Sequence, residues 1–423
     1  MKFIYADSLD VVDPNYNFIE DEFRAGRKPY WDDVYAHEIL PKPPYDGLLV
    51  SRSTLGSGPI AGKYTQAQAM RFFREGGRTF LRMNEPKYKE MVLMGDCGAF
   101  NYHRESSPPY TPSEIVDFYE CGGFNYGCSI DHIIFQFGKD EEGSEDSKNR
   151  FEITLDIAGK FFEEHRSQRA SFEPMGVVQG WSPESMRCAA RRLLKMGYRY
   201  IAIGGLVPLG IPAIRQAVVA VHEEVSKFQG ARIHLLGFAK AECINEFQKY
   251  SVASFDSTSP LLRAFKDKTK NYWLLDQDNS FKYYSAIRVP QSSDNNTLRN
   301  RVKCGAVSLS ELVSAEKRAL ESLRAYDREK GGLDETLGAV LAYSRYLLDG
   351  GKFSEERVEK ELVWQRQEYQ RTLQDRSWQK CGCEICEDCS IEVVIFRASN
   401  RNKRRGMHNL CMFHQHVTSL LEN

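Results

Sequence analysis

The sequence lacks any apolar run approaching the roughly 18 residues needed to cross a membrane. Its first residues, MKFIYADSLDVVDPNYNF, contain no apolar core of signal-peptide length. Net charge is also nearly absent, because 57 Lys and Arg residues oppose 58 Asp and Glu residues and leave −1 at pH 7. This balance excludes an overall basic coat for nucleic acid, although it permits a local basic groove. We therefore expect a soluble, cytoplasmic protein with no membrane partner.

The 11 cysteines show no disulfide framework. Six are scattered as the thiols of a reducing compartment would be: Cys97, Cys121, Cys128, Cys188, Cys243 and Cys304. Four others lie close together in KCGCEICEDC: Cys381, Cys383, Cys386 and Cys389. The C-x-C-x-x-C spacing brings three thiolates onto one turn, and Zn²⁺ takes four ligands in a tetrahedron. We predict a closed, structural zinc site whose fourth ligand is Cys389, His408, His414 or His416.

Short apolar runs alternate with longer amphipathic stretches, which favours a parallel sheet wrapped by helices. Seven runs are predicted as strands: 46–51, 90–96, 129–135, 174–180, 198–205, 232–238 and 250–256. Seven strands in about 210 residues are typical of an α/β, TIM-like (β/α)₈ barrel. Two runs, NYWLLD and KYYSAI, compete for the eighth strand.

The character of the sequence changes along the chain. We predict an N-terminal extension at 1–45, the barrel at 46–305, a helical insertion at 306–378 and a zinc-binding subdomain at 379–423. The charged helices of the insertion are most simply a packed appendage.

Polar residues follow several of the predicted strands, where barrel enzymes carry their catalytic groups. These residues are Asp96, Asp131, Gln179, Gly204, Gly205 and Asp256. A single Asp at such a place fits a helix cap or a turn equally well. Taken together, three carboxylates, an amide and a Gly-Gly step indicate a site at the barrel mouth. The strand ends show no His-rich ligand set, which disfavours a metal-dependent hydrolase.

Six motifs occur in order along the chain: MGDCGAF, VVQG, IAIGGLV, LLG, SFDSTSPLLRA, and CGCEIC followed by MHNL. The first five resemble D-S-G-G-[FY], V-Q-G, G-G-L-A, M-G and F-D-x-x-x-P-x-R of the tRNA-guanine transglycosylases. The sixth resembles the zinc motif C-x-C-x-x-C…H-N of the same family. Cys97 and Ala99 depart from the first motif. NYGCSIDHI and the helical insertion resemble the DNA-guanine transglycosylase branch, whose members place 7-deazaguanine bases, such as preQ0, into DNA.

The resemblance implies roles for individual residues. Asp256 would be the nucleophile and Asp96 the general acid/base of a double displacement that passes through a covalent glycosyl-enzyme. The base would be bound by Phe100, Asp131, Gln179, Gly204, Gly205 and Leu236. His408 would be the fourth zinc ligand, with Cys389 as the alternative.

The expected partner is double-stranded DNA, from which the target nucleotide would be flipped into the pocket. Two basic runs are candidates for gripping the phosphates: Arg397, Arg401, Lys403, Arg404 and Arg405 in one, and Arg263 in the other. An accessory protein could help to open the duplex. A tRNA enzyme of the queuosine or archaeosine type is the first alternative, and a non-catalytic nucleic-acid-binding subunit is the second.

Overall fold

Eight parallel strands close into a barrel with helices around it, which confirms the predicted (β/α)₈ fold. The structure is a computed structural model, and it describes residues 1–56, 62–138, 142–349 and 353–422. The barrel strands are β1 (Lys2–Ala6), β2 (Gly47–Ser51), β3 (Val92–Asp96), β4 (Tyr126–Cys128), β5 (Glu173–Val178), β6 (Tyr200–Ile203), β7 (Arg232–Leu235) and β8 (Val252–Ser257). Two short pairs lie outside it: β9 (Tyr272–Leu275) with β10 (Phe281–Tyr284), and β11 (Ile287–Arg288) with β12 (Ile395–Phe396).

Helices supply the rest of the regular structure. The α-helices are α1 (Ala36–Ile39), α2 (Gln66–Glu75), α3 (Gly77–Phe80), α4 (Pro112–Gly122), α5 (Glu145–Gln168), α6 (Pro183–Met196), α7 (Ile211–Val225), α8 (Ser259–Lys266), α9 (Asn296–Lys303), α10 (Leu309–Asp327), α11 (Leu333–Leu348), α12 (Glu355–Asp375), α13 (Ser377–Lys380), α14 (Glu384–Cys389) and α15 (Ser399–Glu422). The 3₁₀ helices are Arg52–Leu55, Pro86–Tyr88, Ala99–Asn101, Ala241–Tyr250 and Ser390–Val394. Among the described residues, no helix is both long and apolar enough to span a bilayer.

Helix α6 shows how the sequence sets these elements. Ser182 caps its first turn by accepting a hydrogen bond from the backbone N–H of Ser185 at 3.2 Å, and Pro183 follows at the first helical position. Gly197 ends the helix at φ +119°, a conformation that glycine adopts without strain. The apolar residues recur at helical spacing, so that Met186 and Leu193 are buried on one face.

The eighth barrel strand is β1, and neither predicted candidate occupies that place. Ile4 of β1 lies opposite Gly47 of β2 and Asp256 of β8. NYWLLD and KYYSAI instead contribute to the antiparallel β9–β10 hairpin. The reason is burial on both faces, since the middle of β1 is wholly buried, whereas β10 carries the exposed Lys282.

The run predicted as a strand at 129–135 is also corrected. The strand is the short β4, which ends at Cys128, and the run itself follows as an irregular segment. Its apolar character has a different cause, because Ile130, Ile133 and Ile134 are buried without being part of the sheet. The segment still carries Asp131 past the end of β4.

The chain packs as two units. The first is Met1–Leu9, Tyr45–Thr258 and Val417–Asn423, and it holds the barrel. The second is Asp10–Pro44 and Ser259–His416. The barrel interior is filled by apolar side chains, among them Ile4, Met94, Val177 and Ala202. The domain boundaries predicted at 45, 305 and 378 remain predictions.

Candidate active site and metal centre

Asp96 stands at the last position of β3, half-buried at the carboxyl end of the barrel. Burial raises the pKa of its carboxyl to about 7, and the nearby charges of Asp256 and Asp131 act in the same direction. Hydrogen bonds from the Ser51 side chain and the Gly98 backbone act against this rise in pKa. Its Oδ1 atom is buried and has no hydrogen-bond partner among the described residues. This carboxyl can therefore give or take a proton near neutral pH.

Asp256 lies in β8 in a different environment. The backbone N–H of Gly237 donates to its Oδ1 at 2.9 Å, and the same oxygen lies 3.2 Å from Nε2 of His234. These two contacts fix the orientation of the Asp256 carboxyl. The two carboxylates are therefore held differently, as acid/base and nucleophile would be.

A chain of buried hydrogen bonds continues behind Asp256. Nδ1 of His234 is 2.6 Å from Oγ of Ser254, which is 2.5 Å from the hydroxyl of Tyr200. One arrangement satisfies every member: Tyr200 donates to Ser254, Ser254 donates to Nδ1, and the Nε2–H donates to Asp256. Burial raises the pKa of Tyr200 to about 12, which keeps its hydroxyl a donor.

Asp131 and Gln179 form a second polar pair. Nε2 of Gln179 donates to Oδ2 of Asp131 at 2.7 Å, and Oε1 accepts from the backbone N–H of Ile134 at 3.2 Å. Burial raises the pKa of Asp131 to about 6, partly offset by the Gln179 hydrogen bond. Both side chains are buried.

The Gly204–Gly205 step follows β6 and passes close to this pair. A Cβ at Gly204 would lie 2.2 Å from Nε2 of Gln179, and one at Gly205 would lie 2.9 Å from the carbonyl oxygen of Ile134. Gly205 also has φ +73°. Any other residue would displace Gln179 or strain the backbone, so this step requires glycine.

Two apolar residues predicted to bind the base occupy different settings. Phe100 is 49% exposed, and its ring centroid lies 5.8 Å from that of Phe135. An exposed aromatic pair is available for stacking. Leu236 is half-buried and packs against the core of the barrel.

The second unit contains a candidate metal centre. The ligand atoms of Cys381, Cys383, Cys386 and His408 lie within 4.8 Å of one another, and all four residues are buried. Nδ1 of His408 is 3.6, 3.4 and 3.3 Å from the three sulfur atoms in that order. Zinc bonds of about 2.3 Å to sulfur and 2.0–2.1 Å to nitrogen give tetrahedral S–N edges of roughly 3.5 Å. This group could hold a metal.

The imidazole of His408 is oriented for that role. Its Nε2–H donates to the carbonyl oxygen of Trp273 at 2.6 Å, which leaves the lone pair of Nδ1 directed at the thiols. Tyr272 stacks on the ring with centroids 4.2 Å apart. Cys389, the alternative ligand, lies outside the group beside Asp388 and Arg404.

The basic run at 397–405 is not a surface for phosphates. Arg401, Arg404 and Arg405 are 0%, 2% and 0% exposed. Arg401 pairs with Asp21 and with Glu392, the latter at 2.7 Å. Arg404 pairs with Asp388, and Arg405 donates to the carbonyl oxygens of Val393 and Ala264. These three buried side chains do not reach a DNA backbone in this structure, contrary to the prediction that they grip it.

Their neighbours are engaged in the same way. Arg397 pairs with Asp21 and Glu316, each at 2.5 Å. Nζ of Lys403 donates to the carbonyl oxygen of Val11 at 3.1 Å. The run therefore fastens α15 to the segment 10–44 of the second unit. The assignment of Arg263 stays a prediction, because this residue is half-buried and its guanidinium lies 5.5 Å from the Trp273 ring centroid.

His234, Ser254 and Tyr200 were missed from the sequence. A signal was present, because side chains two apart in a strand share a face. His234 is two before Leu236, and Ser254 is two before Asp256. Polar residues at those positions in otherwise apolar strands point into the same barrel interior as the predicted site.

Comparison with known proteins shows the family to which the chain belongs. No protein-family profile matches it. A protein from Salmonella montevideo described as a DNA-guanine transglycosylase is 40% identical over 418 residues, covering 97% of this chain and 95% of that protein. Identity at this level over nearly the full length of both proteins shows common descent and a common fold. The chain belongs to the DNA-guanine transglycosylases, a family of glycosyltransferase-type enzymes.

Proposed function

We propose that this protein exchanges guanine in DNA for a 7-deazaguanine base, such as preQ0. The observation that carries the proposal is the unequal pair of carboxylates at the barrel mouth. Asp96 has a pKa raised to about 7 and an unpartnered oxygen, whereas Asp256 is held by two donors. Base exchange with retention at C1′ needs one group to donate and accept a proton and another to form a covalent bond.

The reaction proceeds in two displacements. A carboxylate oxygen of Asp256 attacks C1′, the bond from C1′ to guanine breaks, and the leaving guanine takes up the proton of Asp96. The 7-deazaguanine then loses its N9 proton to Asp96, and N9 attacks C1′ and releases Asp256. Protons and charges balance over the cycle, so each carboxyl returns to its starting state.

The remaining pocket residues bind and position. Asp131 and Gln179 present hydrogen-bonding atoms to the edge of the base, and the Gly204–Gly205 backbone lets the base approach closely. Phe100 and Leu236 cover its faces. His234 is a positioning residue, because it fixes the oxygen of Asp256 without touching the substrate.

The metal is structural zinc in this proposal. Three cysteines and a histidine complete its four ligands, leaving no open position for chemistry. When bound, zinc would link α14 to α15 through Cys386 and His408. The cysteines are free thiols, as the proposed cytoplasmic location would keep them.

The test is base exchange on two substrates side by side. The pure protein is incubated with 7-cyano-7-deazaguanine and either duplex plasmid DNA or unmodified tRNA, and each nucleic acid is digested to nucleosides for mass spectrometry. We expect the modified deoxynucleoside from DNA alone. Asp256→Asn should abolish it, whereas Asp117→Asn, the same change at an exposed helical position, should not.

Other outcomes have clear meanings. Modification of tRNA alone would replace this proposal with the queuosine or archaeosine type of reaction. Exchange by Asp256→Asn at the wild-type rate would remove Asp256 from the mechanism. If neither nucleic acid is modified, binding of duplex DNA without exchange would favour the non-catalytic subunit.

A further inference from the structure

The second unit contains a cavity that the exchange reaction does not use. Its volume is about 310 Å³, within the range of about 300–1,000 Å³ typical of small-molecule sites. It lies among α8, α11 and α12 and the strands β11 and β12. The residues that bear on its chemistry are Lys266, Lys268, Arg288, Ser344, Trp364 and Gln365.

Two buried polar atoms in the cavity wall lack partners. Ser344 is 1% exposed and Gln365 is 8% exposed. Neither Oγ of Ser344 nor Oε1 of Gln365 has a hydrogen-bond partner among the described residues. Burial of an unpaired polar atom destabilises a fold, so these two atoms favour a bound molecule that can hydrogen-bond to them. That ligand offers at least one N–H or O–H donor to Gln365.

The charge at the cavity favours an anion. Within the described part of the chain, Lys266 and Arg288 form no ion pair with a carboxylate, and Lys268 has only Glu361 at 3.7 Å. The other acidic residue, Asp267, accepts the backbone N–H groups of Thr269 and Lys270 at 2.9 Å each. Three cations therefore face two carboxylates, one of which is held by backbone N–H groups, and the lining keeps a net positive charge.

Aromatic rings complete the lining. Trp364 is half-buried, with Nζ of Lys268 6.0 Å from its ring centroid. Phe396 lies beside Arg288, whose guanidinium is 5.6 Å from the ring centroid. Rings next to cations suit a flat base that carries a phosphate, since the ring takes the base and the cation takes the charge.

We propose that this cavity binds a deoxynucleoside phosphate. The base lies against Trp364 with its N–H groups on Gln365 and Ser344, and the phosphate lies at Lys266, Lys268 and Arg288. The inference does not rest on the proposed exchange reaction, because it uses only residues of the second unit. The ligand can be a free nucleotide or one nucleotide of a single-stranded segment, and both share this chemistry.

The first test is isothermal titration of the full-length protein with dGMP and with deoxyguanosine. We expect one dGMP site in this unit and at least tenfold weaker binding of deoxyguanosine. Lys266→Ala combined with Lys268→Ala should weaken dGMP binding at least tenfold and leave deoxyguanosine unchanged. Lys330→Ala, at an exposed lysine outside the cavity, is the matched control.

Gln365→Leu separates this site from any binding in the barrel. It should lower the affinity for both compounds at least fivefold without lowering the melting temperature, because the replaced oxygen has no protein partner. The source is identified with a fluorescein-labelled single-stranded decamer. Weaker decamer binding by Gln365→Leu assigns the cavity to DNA, and unchanged decamer binding with weaker dGMP binding assigns it to a free nucleotide. If dGMP at millimolar concentration gives no heat, or if both sets of variants bind dGMP and decamer as the wild type does, the proposal is overturned.

Discussion

Replacing His234 with leucine should slow base exchange while leaving the barrel folded. The change removes the Nε2–H donor that lies 3.2 Å from Oδ1 of Asp256, so that this oxygen keeps only the Gly237 N–H at 2.9 Å. A hydrogen bond to a charged group contributes about 1.5–3 kcal/mol. At 1.36 kcal/mol per tenfold in rate, kcat should fall roughly 10- to 150-fold.

The assay follows incorporation of labelled 7-cyano-7-deazaguanine into plasmid DNA and yields kcat and KM separately. Because His234 does not touch the base, KM for the base should stay within about twofold of the wild-type value. His234→Gln keeps an amide donor and should recover part of the loss. Tyr200→Phe removes only the far end of the chain, a neutral hydrogen bond of about 0.5–1.5 kcal/mol, and should cost roughly 2- to 10-fold.

If His234→Leu melts as the wild type does and keeps kcat within about twofold, the contact does not position the nucleophile. A loss that appears only in KM would instead place His234 in binding of the base.

Formation of the covalent DNA adduct needs protonated Asp96, whose pKa is raised to about 7, so its rate should be highest below pH 7 and fall as the pH rises through that value; a rate that rises over the same range would refute the assignment. Cys383→Ser should lose the bound metal by mass spectrometry and melt at a lower temperature, whereas Cys304→Ser, at an exposed cysteine outside the group, should do neither. Arg401→Met should lower the free energy of unfolding in urea by about 3 kcal/mol, because it leaves two carboxylates short of a partner, and it should leave the salt dependence of DNA binding unchanged; a shallower salt dependence would restore a role in gripping phosphates.

The barrel could be predicted because its signal is local. Most βα units appear in the sequence as an apolar run followed by an amphipathic stretch. Six of the seven predicted strands overlap strands of the structure. Strand β1 was not predicted because KFIYA is short and its partners, β2 and β8, lie far away in the sequence. The run at 129–135 was wrongly predicted as a strand because buried loops can be as apolar as strands.

The metal ligands could be predicted from the sequence, whereas the role of the basic run at 397–405 could not. Cys381, Cys383 and Cys386 are recognisable from spacing alone, since their ligand geometry is set within one turn. The arginines at 397–405 were misassigned because their partners, Asp21, Glu316 and Glu392, are distant or unremarkable in the sequence. A charge run shows only that charge is present, and whether it is neutralised depends on tertiary structure.

The pairing of β1 with β8 has a consequence for biosynthesis. Lys2 lies opposite Ser254, so the barrel cannot close until the roughly 250 residues between these two positions have left the ribosome. At 5–20 residues per second, this wait is roughly 10–50 s. During that time β1 presents an unpaired edge to other chains, which makes the nascent protein a candidate for chaperone protection and for aggregation when it is overproduced. A co-produced chaperone that covers this edge should therefore raise the yield of closed barrels.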